Sequence, residues 1–257
     1  MDVAKYTEIP YSTMERQSIE DDLLPQRLSH LIRRVSEGKS HNTIGIVPLK
    51  LYAWIPNTGG PGVTSFNRYY FAQQEKEGAV IDERFNGGGN LDDYMVDYMT
   101  RSLRGAITNE VPGGAAFRIP QGVLGPKVLL INELAGSGGD YFPWAFRQQK
   151  VGPLIGARTW GGLVKSSVHY AMVEGGTLTA PDNAVFDPIN NAWVAENEGV
   201  PPDIEVLLDA KSAAAGRDPQ LERAVQETLL LIQAQGGPRR VVPPPFSKPS
   251  RRPPGRD

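Results

Sequence analysis

The sequence predicts an α/β protein built around a parallel β-sheet, because one pattern occurs twice along the chain. Each time, an apolar run typical of a buried strand leads into a glycine-rich turn and then into a helical stretch. The first strand lies at residues 79–82, with its turn at 87–89 and its helix starting near Asn90. The second strand lies at 127–132, with its turn at 136–139. Two such units in one parallel sheet place both turns at the same edge, where open α/β proteins bind ligands.

The elements before the first glycine turn are predicted from apolar spacing and from prolines. Residues 15–37 have a helical pattern that Pro25 interrupts. Residues 42–55 predict one or two strands, broken near Pro48. Residues 65–76 predict an aromatic helix, and we expect its rings in the core or at a subunit contact.

After the second glycine turn the sequence predicts a helix, a series of strands and a final helix. The first helix covers residues 141–149, with Pro143 in its first turn, where a missing N–H costs nothing. The final helix covers residues 218–235 and has one apolar face, made of Leu221, Val225, Leu229 and Ile232. The strands between them are expected near residues 152–157, 166–173, 177–180, 184–186 and 204–208.

The composition predicts one large domain with an extension at each end. The chain has 257 residues, of which 40% are hydrophobic. We expect an N-terminal arm with a helical lead-in over residues 1–40 and a core domain over residues 41–235. Residues 236–257 hold six basic residues and seven prolines against one acidic residue, which predicts a disordered basic tail.

Several classes of function are disfavoured by the composition. The chain has no cysteine, which excludes disulfides and thiolate metal sites. A formal net charge of −2 gives no reason to expect nucleic acid as a partner. No apolar stretch is long enough for a bilayer, and the first residues lack the pattern of a signal peptide. We therefore expect a cytoplasmic protein with no membrane partner, no metal and no cofactor.

Ser137 is the candidate nucleophile of the chain. It lies among glycines between the strand at 127–132 and the following helix, at a corner that exposes a hydroxyl group. Unpaired amides at the start of that helix lie at the positive end of its dipole and suit a developing oxyanion. The alternative is an ordinary glycine-rich turn with no chemical role.

The glycine triplet at residues 87–89 has two interpretations. It can supply a second amide to the site of Ser137 across the same sheet edge. It can also cradle a phosphate, but no Gly-Lys-Ser/Thr follows it and the Rossmann spacing is absent. The sequence therefore favours the first interpretation over nucleotide binding.

Four segments in a fixed order carry a resemblance to a known family. They are Thr-Ser-Phe-Asn-Arg-Tyr-Tyr-Phe-Ala-Gln at 64–73, Asp-Glu-Arg-Phe-Asn-Gly-Gly-Gly at 82–89, Asn-Glu through Asp-Tyr-Phe-Pro at 132–143, and Glu-Asn-Glu-Gly-Val-Pro-Pro-Asp-Ile-Glu-Val at 196–206. Together they resemble the C-terminal catalytic domain of the tricorn protease family, which is related to the C-terminal processing peptidases. The similarity runs from about residue 40 to residue 235.

This resemblance implies a fold and a catalytic arrangement. The fold is a crotonase-like or Clp-protease-like core of repeated strand-strand-helix units. Ser137 attacks a peptide carbonyl, and the amides of Gly138 and Gly88 stabilise the tetrahedral oxyanion. For the second amide, Gly87 and Gly89 remain open as alternatives.

A glutamate late in the domain completes a hydrogen-bonded tetrad in the family. The order of the segments matches this glutamate to Glu196, with Glu198 as the alternative. From composition alone, residues 196–203 also resemble an exposed turn before the strand at 204–208. The resemblance favours a carboxylate that orients polar groups around the nucleophile.

The general base is the point at which this chain departs from the family. In the family a histidine, with a neighbouring serine, lies upstream of a PDZ-like domain, and both precede the nucleophile domain. None of His30, His41 and His169 matches that position. His169 and Lys165 are the nearest stand-ins in this chain, while structural or surface roles are the expectation for all three histidines.

The resulting prediction is a serine-type endopeptidase domain that hydrolyses peptides and lacks its upstream histidine. One alternative is a catalytically incomplete fragment that serves in peptide binding or assembly. Another is crotonase-type acyl-coenzyme A chemistry, which the serine at the corner and the Glu196 segment disfavour. The resemblance also implies a homo-oligomer and an upstream segment with the histidine and a PDZ-like domain as partners. The sequence alone assigns no specificity pocket.

Overall fold

The computed structural model describes residues 44–48, 61–89, 92–108, 116–235, 241 and 243–244. The predicted arm at 1–40 lies outside these residues, and so does nearly all of the tail at 236–257. The described residues form a mixed α/β fold around a five-stranded sheet in which every pairing is parallel. In their order across the sheet, the strands are β1 Ile44–Pro48, β2 Gly78–Asp82, β5 Lys127–Ile131, β6 Leu154–Gly156 and β11 Ile204–Glu205. The predicted α/β class is thus confirmed.

The two faces of the sheet carry separate halves of the core. Successive side chains of a strand point to opposite faces. Leu129 and Ile131 therefore pack into one apolar cluster, whereas Val128 and Leu130 pack into the other. All five residues of β5 are buried, as expected for a central parallel strand covered on both sides.

Helices cover both faces and complete a layered α/β arrangement. Their bounds are α1 Pro61–Ala72, α2 Asp92–Thr100, α3 Gly138–Gln148, α4 Ala210–Ala214 and α5 Pro219–Ala234. Rings and aliphatic chains of α1, α2 and α3 join the first cluster, and α5 joins the second. The predicted apolar face of α5 is confirmed, since Leu221, Val225 and Ile232 are buried there.

Two helix predictions were wrong in their boundaries. The aromatic helix α1 begins at Pro61, four residues before the predicted start, because proline is accommodated in a first turn. Helix α3 begins at Gly138 and not at residue 141. Pro143 consequently lies inside the helix instead of in its first turn, where it leaves one backbone carbonyl without its helical donor.

Among the described residues, three antiparallel strand pairs lie outside the main sheet. The sequence did not predict β3 Gly105–Ile107, β4 Phe117–Ile119 or β10 Ala192–Trp193, which are too short to show a clear apolar period. Strands β7 Lys165–Ala171 and β8 Thr177–Asn183 form a longer ribbon, and β9 Phe186–Asp187 pairs with β10. Within the described ranges, no helix has both the length and the apolar character needed to cross a bilayer.

Arg84 connects the end of β2 to the start of α5 through two ion pairs. Its guanidinium group is mostly buried and lies 2.7 Å from Asp82 Oδ2 and 2.8 Å from Asp218 Oδ2. Asp218 is the N-cap of α5, and its side chain accepts from the Leu221 amide. Burial opposes the charge on Arg84, but the two carboxylates outweigh burial and raise its pKa above the ordinary value.

Candidate active site

The two glycine-rich turns meet at the carboxyl edge of the sheet. Strands β2 and β5 are parallel neighbours, so the loops that follow them leave the sheet side by side. A Cβ atom added to Gly88 would lie 2.7 Å from Ser137 Cβ and 2.9 Å from Gly138 N. A Cβ atom added to Gly138 would lie 2.7 Å from Gly89 N. These distances confirm the predicted meeting of the turns and show why both positions need glycine.

Ser137 has an unusual backbone conformation at the entry to helix α3. Its φ is 56° and its ψ is −116°, a region that costs an L-residue about 1–3 kcal/mol. The side chain is partly exposed, whereas the glycines on either side of it are buried. Strain of this kind persists only where the surroundings hold it, and it is common at reactive centres.

Because helix α3 begins directly after Ser137, the amide of Gly138 is the first amide of the helix. Gly138 is the first helical residue, so its amide lies at the positive end of the helix dipole. Across the residues that the structure describes, this amide donates to no acceptor. It therefore stays available to a developing negative charge beside Ser137.

Of the three amides in the glycine triplet, one is engaged and two donate to no acceptor among the described residues, those of Gly87 and Gly89. The Gly88 amide donates to Asn86 Oδ1 at 3.1 Å. The Gly89 amide has no protein acceptor among the described residues and lies close to Gly138. To bind an oxyanion, Gly88 would have to exchange its bond to Asn86, whereas Gly89 would not.

Asp140 is a buried carboxylate whose contacts the sequence does not predict. Its Oδ2 atom accepts from the amides of Ser137 and Gly162, each at 3.0 Å. Its Oδ1 atom accepts from Thr159 Oγ1 at 2.6 Å and from the Gly161 amide at 2.8 Å. The spacing of Ser137 and Asp140 is that of a capping box, which was the available local signal for the first contact.

Glu196 contacts the same loop from the other side. Its Oε2 atom accepts from the amides of Leu163 and Val164 at 2.8 and 2.7 Å. Glu198, the alternative to Glu196, is exposed, and its amide donates to Ala195 O. The structure therefore brings Glu196 to the loop beside Ser137, and its recorded bonds go to backbone amides of that loop.

Residues 159–164, here called the 159–164 loop, are held at every amide. The bonds measure between 2.7 and 3.2 Å, and the Ser137 amide in turn donates to Gly162 O at 3.1 Å. The loop is thus a fixed wall of the site. In chain order its amides donate to Val200 O, Ala135 O, Asp140 Oδ1, Asp140 Oδ2, Glu196 Oε2 and again Glu196 Oε2.

Trp160 and a small cavity give the site its apolar surface. The Trp160 indole lies across two glycines, since an added Cβ at Gly136 or at Gly162 would approach the ring to 2.5 Å. The ring nevertheless remains 70% exposed. Beyond Glu196 there is a cavity of about 190 Å³, lined by Leu163, Val164, Ala184, Val185, Trp193 and Val194.

Of the residues considered as a general base, His169 and Lys165 lie on strand β7. His30 and His41 lie outside the described residues. His169 is on β7, with its Nε2 atom 3.2 Å from Ala180 O and 3.9 Å from Asp182 Oδ2. Lys165 is the exposed first residue of β7.

A serine at a strand-to-helix corner beside unpaired glycine amides is an arrangement typical of serine peptidases. The profile described as peptidase family S41 matches residues 60–206, more than half of the chain. This chain belongs to peptidase family S41. The resemblance to the tricorn family is confirmed by the relatives described next.

The relatives are much longer than this chain. Tricorn protease homolog 1 of Streptomyces coelicolor is 35% identical over 184 residues, which cover 71% of this chain and 17% of that protein. The tricorn protease of Thermoplasma acidophilum is 32% identical over 193 residues, covering 75% of this chain and 17% of that protein. The crystal structure of the tricorn protease matches with a TM-score of 0.68 and 28% identity, over 80% of this chain and 19% of that chain. The chain thus spans less than a fifth of the length of these relatives.

Proposed function

We propose that this chain is the nucleophile-bearing domain of a tricorn-like serine endopeptidase that acts on peptides. The observation that carries the proposal is the contact between the two glycine turns, which sets Ser137 against open backbone amides. The S41 assignment and the similarity to tricorn proteases support it.

In the proposed reaction, Ser137 Oγ bonds to the carbonyl carbon of a peptide while its proton passes to a base. The carbonyl oxygen becomes an oxyanion, which the Gly138 amide and one amide of the glycine triplet stabilise. The C–N bond then breaks, the departing amine takes the proton, and water releases the acyl group from Ser137. Of the predicted Gly88 and its alternatives Gly87 and Gly89, we favour Gly89, because its amide is open and lies close to Gly138. The bond to Asn86 opposes Gly88, and an added Cβ at Gly87 would meet no atom within 4 Å, so nothing places Gly87 against Ser137.

Glu196 is proposed to act through polar contacts and not by attacking the substrate. One carboxylate oxygen is held by Leu163 and Val164, which fixes the orientation of the group beside the site. The neighbouring apolar cavity provides space for an apolar side chain of the peptide. These contacts support the predicted orienting role of Glu196.

The general base is proposed to come from an upstream segment with a histidine, which the family resemblance places before a PDZ-like domain. The carbonyl contact of His169 on the β7–β8 ribbon favours a structural role for that histidine. A chain that lacks the base would be a catalytically incomplete peptide-binding or assembly fragment, which is the alternative proposal. A crotonase-like or Clp-like core, a homo-oligomer and a cytoplasmic location remain predictions from the sequence.

Labelling with an alkyl fluorophosphonate tests the proposal. The reagent forms an Oγ–P bond at an activated serine and releases fluoride, while the serine proton passes to the base. We expect mass spectrometry to find the label on Ser137 and to find none in Ser137→Ala. The chain is to be measured alone and with a separately expressed segment that carries the upstream histidine.

The outcomes separate the two proposals. Labelling of the chain alone supports a complete catalytic centre within these 257 residues. Labelling only with the added segment supports the incomplete fragment. An unlabelled Ser137 under both conditions would overturn the serine peptidase proposal.

A further inference from the structure

The carboxylate of Asp140 joins the nucleophile to the wall of the site. It is fully buried, and its two oxygens accept four hydrogen bonds. One donor is the amide of Ser137, and the other three belong to Thr159, Gly161 and Gly162 in the 159–164 loop. An ionised carboxylate has about four acceptor positions, so this set of donors uses its full capacity.

The hydrogen bond from the Ser137 amide to Asp140 restrains a backbone segment that is strained. The backbone of Ser137 lies at φ 56°, where a residue with a Cβ atom is disfavoured. Two acceptors hold its amide in this orientation, Asp140 Oδ2 at 3.0 Å and Gly162 O at 3.1 Å. Asp140 fixes the second acceptor too, because it binds the Gly162 amide. Without the carboxylate, both restraints on the amide of Ser137 weaken together.

We propose that Asp140 is a positioning residue, which holds the strained backbone of Ser137 so that its Oγ atom stays beside the Gly138 and Gly89 amides. This inference rests on the proposed function of Ser137 as the nucleophile. Relaxation of Ser137 to a negative φ would turn the side chain away from those amides. Asp140 itself touches no reacting atom.

The same carboxylate also couples Ser137 to Glu196. Asp140 holds Gly161 and Gly162, and Glu196 holds the next two amides of the 159–164 loop. The nucleophile and the orienting glutamate are therefore fixed to one short segment from its two sides. A change at Asp140 is expected to move both groups.

Asparagine is the informative substitution at this position. The side-chain amide of asparagine keeps one acceptor oxygen but replaces the other oxygen of Asp140 by an NH₂ group. This NH₂ group would face N–H or O–H donors that lose their acceptor. Asp187→Asn is a matched control, because Asp187 is also buried and accepts four bonds, from Gln148 Nε2, the Ile189 amide and two groups of Asn190. Gln148 lies at the far end of helix α3 from Ser137.

The test measures fluorophosphonate labelling of Ser137 over a range of reagent concentrations, with the histidine segment present if the wild-type chain needs it. We expect Asp140→Asn to lower the maximal labelling rate about 100-fold, the loss expected from a misplacement of about 1 Å, with little change in the half-saturating concentration. Asp187→Asn is expected to label at the wild-type rate even where it lowers stability to the same degree.

Amide hydrogen exchange gives a second readout that needs no activity. We expect Asp140→Asn, and not Asp187→Asn, to lose protection at Ser137, Gly161 and Gly162. Thr159→Val removes one donor to Asp140 and keeps the carboxylate, and it also removes the acceptor of the Val200 amide. It serves if Asp140→Asn does not fold, and we expect a smaller loss confined to the maximal rate.

Equal labelling rates in wild type and Asp140→Asn, or equal losses in Asp140→Asn and Asp187→Asn, would overturn the inference while the proposed function stands. If Asp140→Asn does not fold, wild-type labelling by Thr159→Val would overturn it in the same way. An unlabelled wild-type Ser137 would instead overturn the proposed function, and the positioning role of Asp140 with it.

Discussion

Ser137 joins a partly exposed side chain to a backbone conformation that favours glycine. The close packing around Ser137 is possible because Gly88 and Gly138 have no side chain, and a Cβ atom at either position would clash with the facing turn. The position of the Ser137 hydroxyl group therefore depends on the lack of a Cβ atom at Gly88 and Gly138. This dependence can be tested by adding a single methyl group.

Gly88→Ala is expected to abolish most of the reactivity of Ser137. The new Cβ would lie 2.7 Å from Ser137 Cβ and 2.9 Å from the Gly138 amide nitrogen, and the φ of +107° disfavours alanine independently of space. We expect the rate of fluorophosphonate labelling to fall about 100-fold, because a small shift of the serine suffices.

Gly87→Ala is the matched control, because an added Cβ there meets no atom within 4 Å. It keeps the backbone amide and should label at nearly the wild-type rate. Equal rates in Gly88→Ala and the wild type would show that the two turns do not need their close contact.

What the sequence reveals about the site depends on how far apart the partners lie in the chain. Ser137 and its glycines form a local pattern of strand, glycine turn and helix. Two such patterns in one parallel sheet predict that the two turns lie at the same edge. Asp140 was missed as a positioning residue because three of its donors lie 19 to 22 residues away in a segment with no charged signal. Sequence spacing reports only contacts within an element or a turn.

At the scale of elements, the start of helix α3 shows where local rules fail. Gly138 and Gly139 are poor helix formers, so the pattern predicted a start at residue 141. In the structure the helix begins at Gly138, where the side chain of Asp140 binds the Ser137 amide. Tertiary bonds of Asp140 to the 159–164 loop outweigh the intrinsic preference of the glycines.

The attachment of helix α5 to the sheet depends on Arg84. Arg84→Met should lower the free energy of unfolding by about 3–5 kcal/mol, because it leaves the partly buried Asp82 and Asp218 without their cation. Urea unfolding followed by circular dichroism measures this change.

Arg217→Ala is the control for an exposed ion pair. Arg217 lies 2.5 Å from Glu222, but its side chain is 61% exposed, so its loss should lower the free energy of unfolding far less than Arg84→Met does. Similar losses in both variants would mean that Arg84 adds no more than a surface contact.

At the scale of the whole molecule, the domain is one part of a longer arrangement in its relatives. This chain covers 17% of the length of two tricorn relatives and 19% of the tricorn crystal structure chain. The order of strands in the sheet brings Ser137 and the amides of the two glycine turns together. The source of the general base is the part of the account that depends on residues beyond this core.

Global stability should respond to pH through Lys127, which lies buried at the start of β5. Burial lowers its pKa to about 8, from a usual value of 10.5. Between these values the unfolded chain binds more protons at this residue than the folded chain, so folding becomes more favourable as pH rises. Below the folded pKa the penalty for charging the buried amine is constant.

Lys127→Met isolates this contribution. The free energy of unfolding of the wild type, relative to that of Lys127→Met, should increase by about 1 kcal/mol or more between pH 7.5 and 9.5. Urea unfolding at several pH values measures the difference. A difference that stays constant would show that the amine remains charged throughout, held by its bond to Gly125 O.

The most direct measurement is a crystal structure of the fluorophosphonate adduct of Ser137, with the histidine segment added if labelling requires it. The phosphoryl oxygen then stands where the oxyanion forms. We expect it within about 2.7–3.1 Å of the Gly138 amide and of one amide of the glycine triplet, with Gly89 favoured. A phosphoryl oxygen turned to solvent, with neither glycine amide donating to it, would contradict the account.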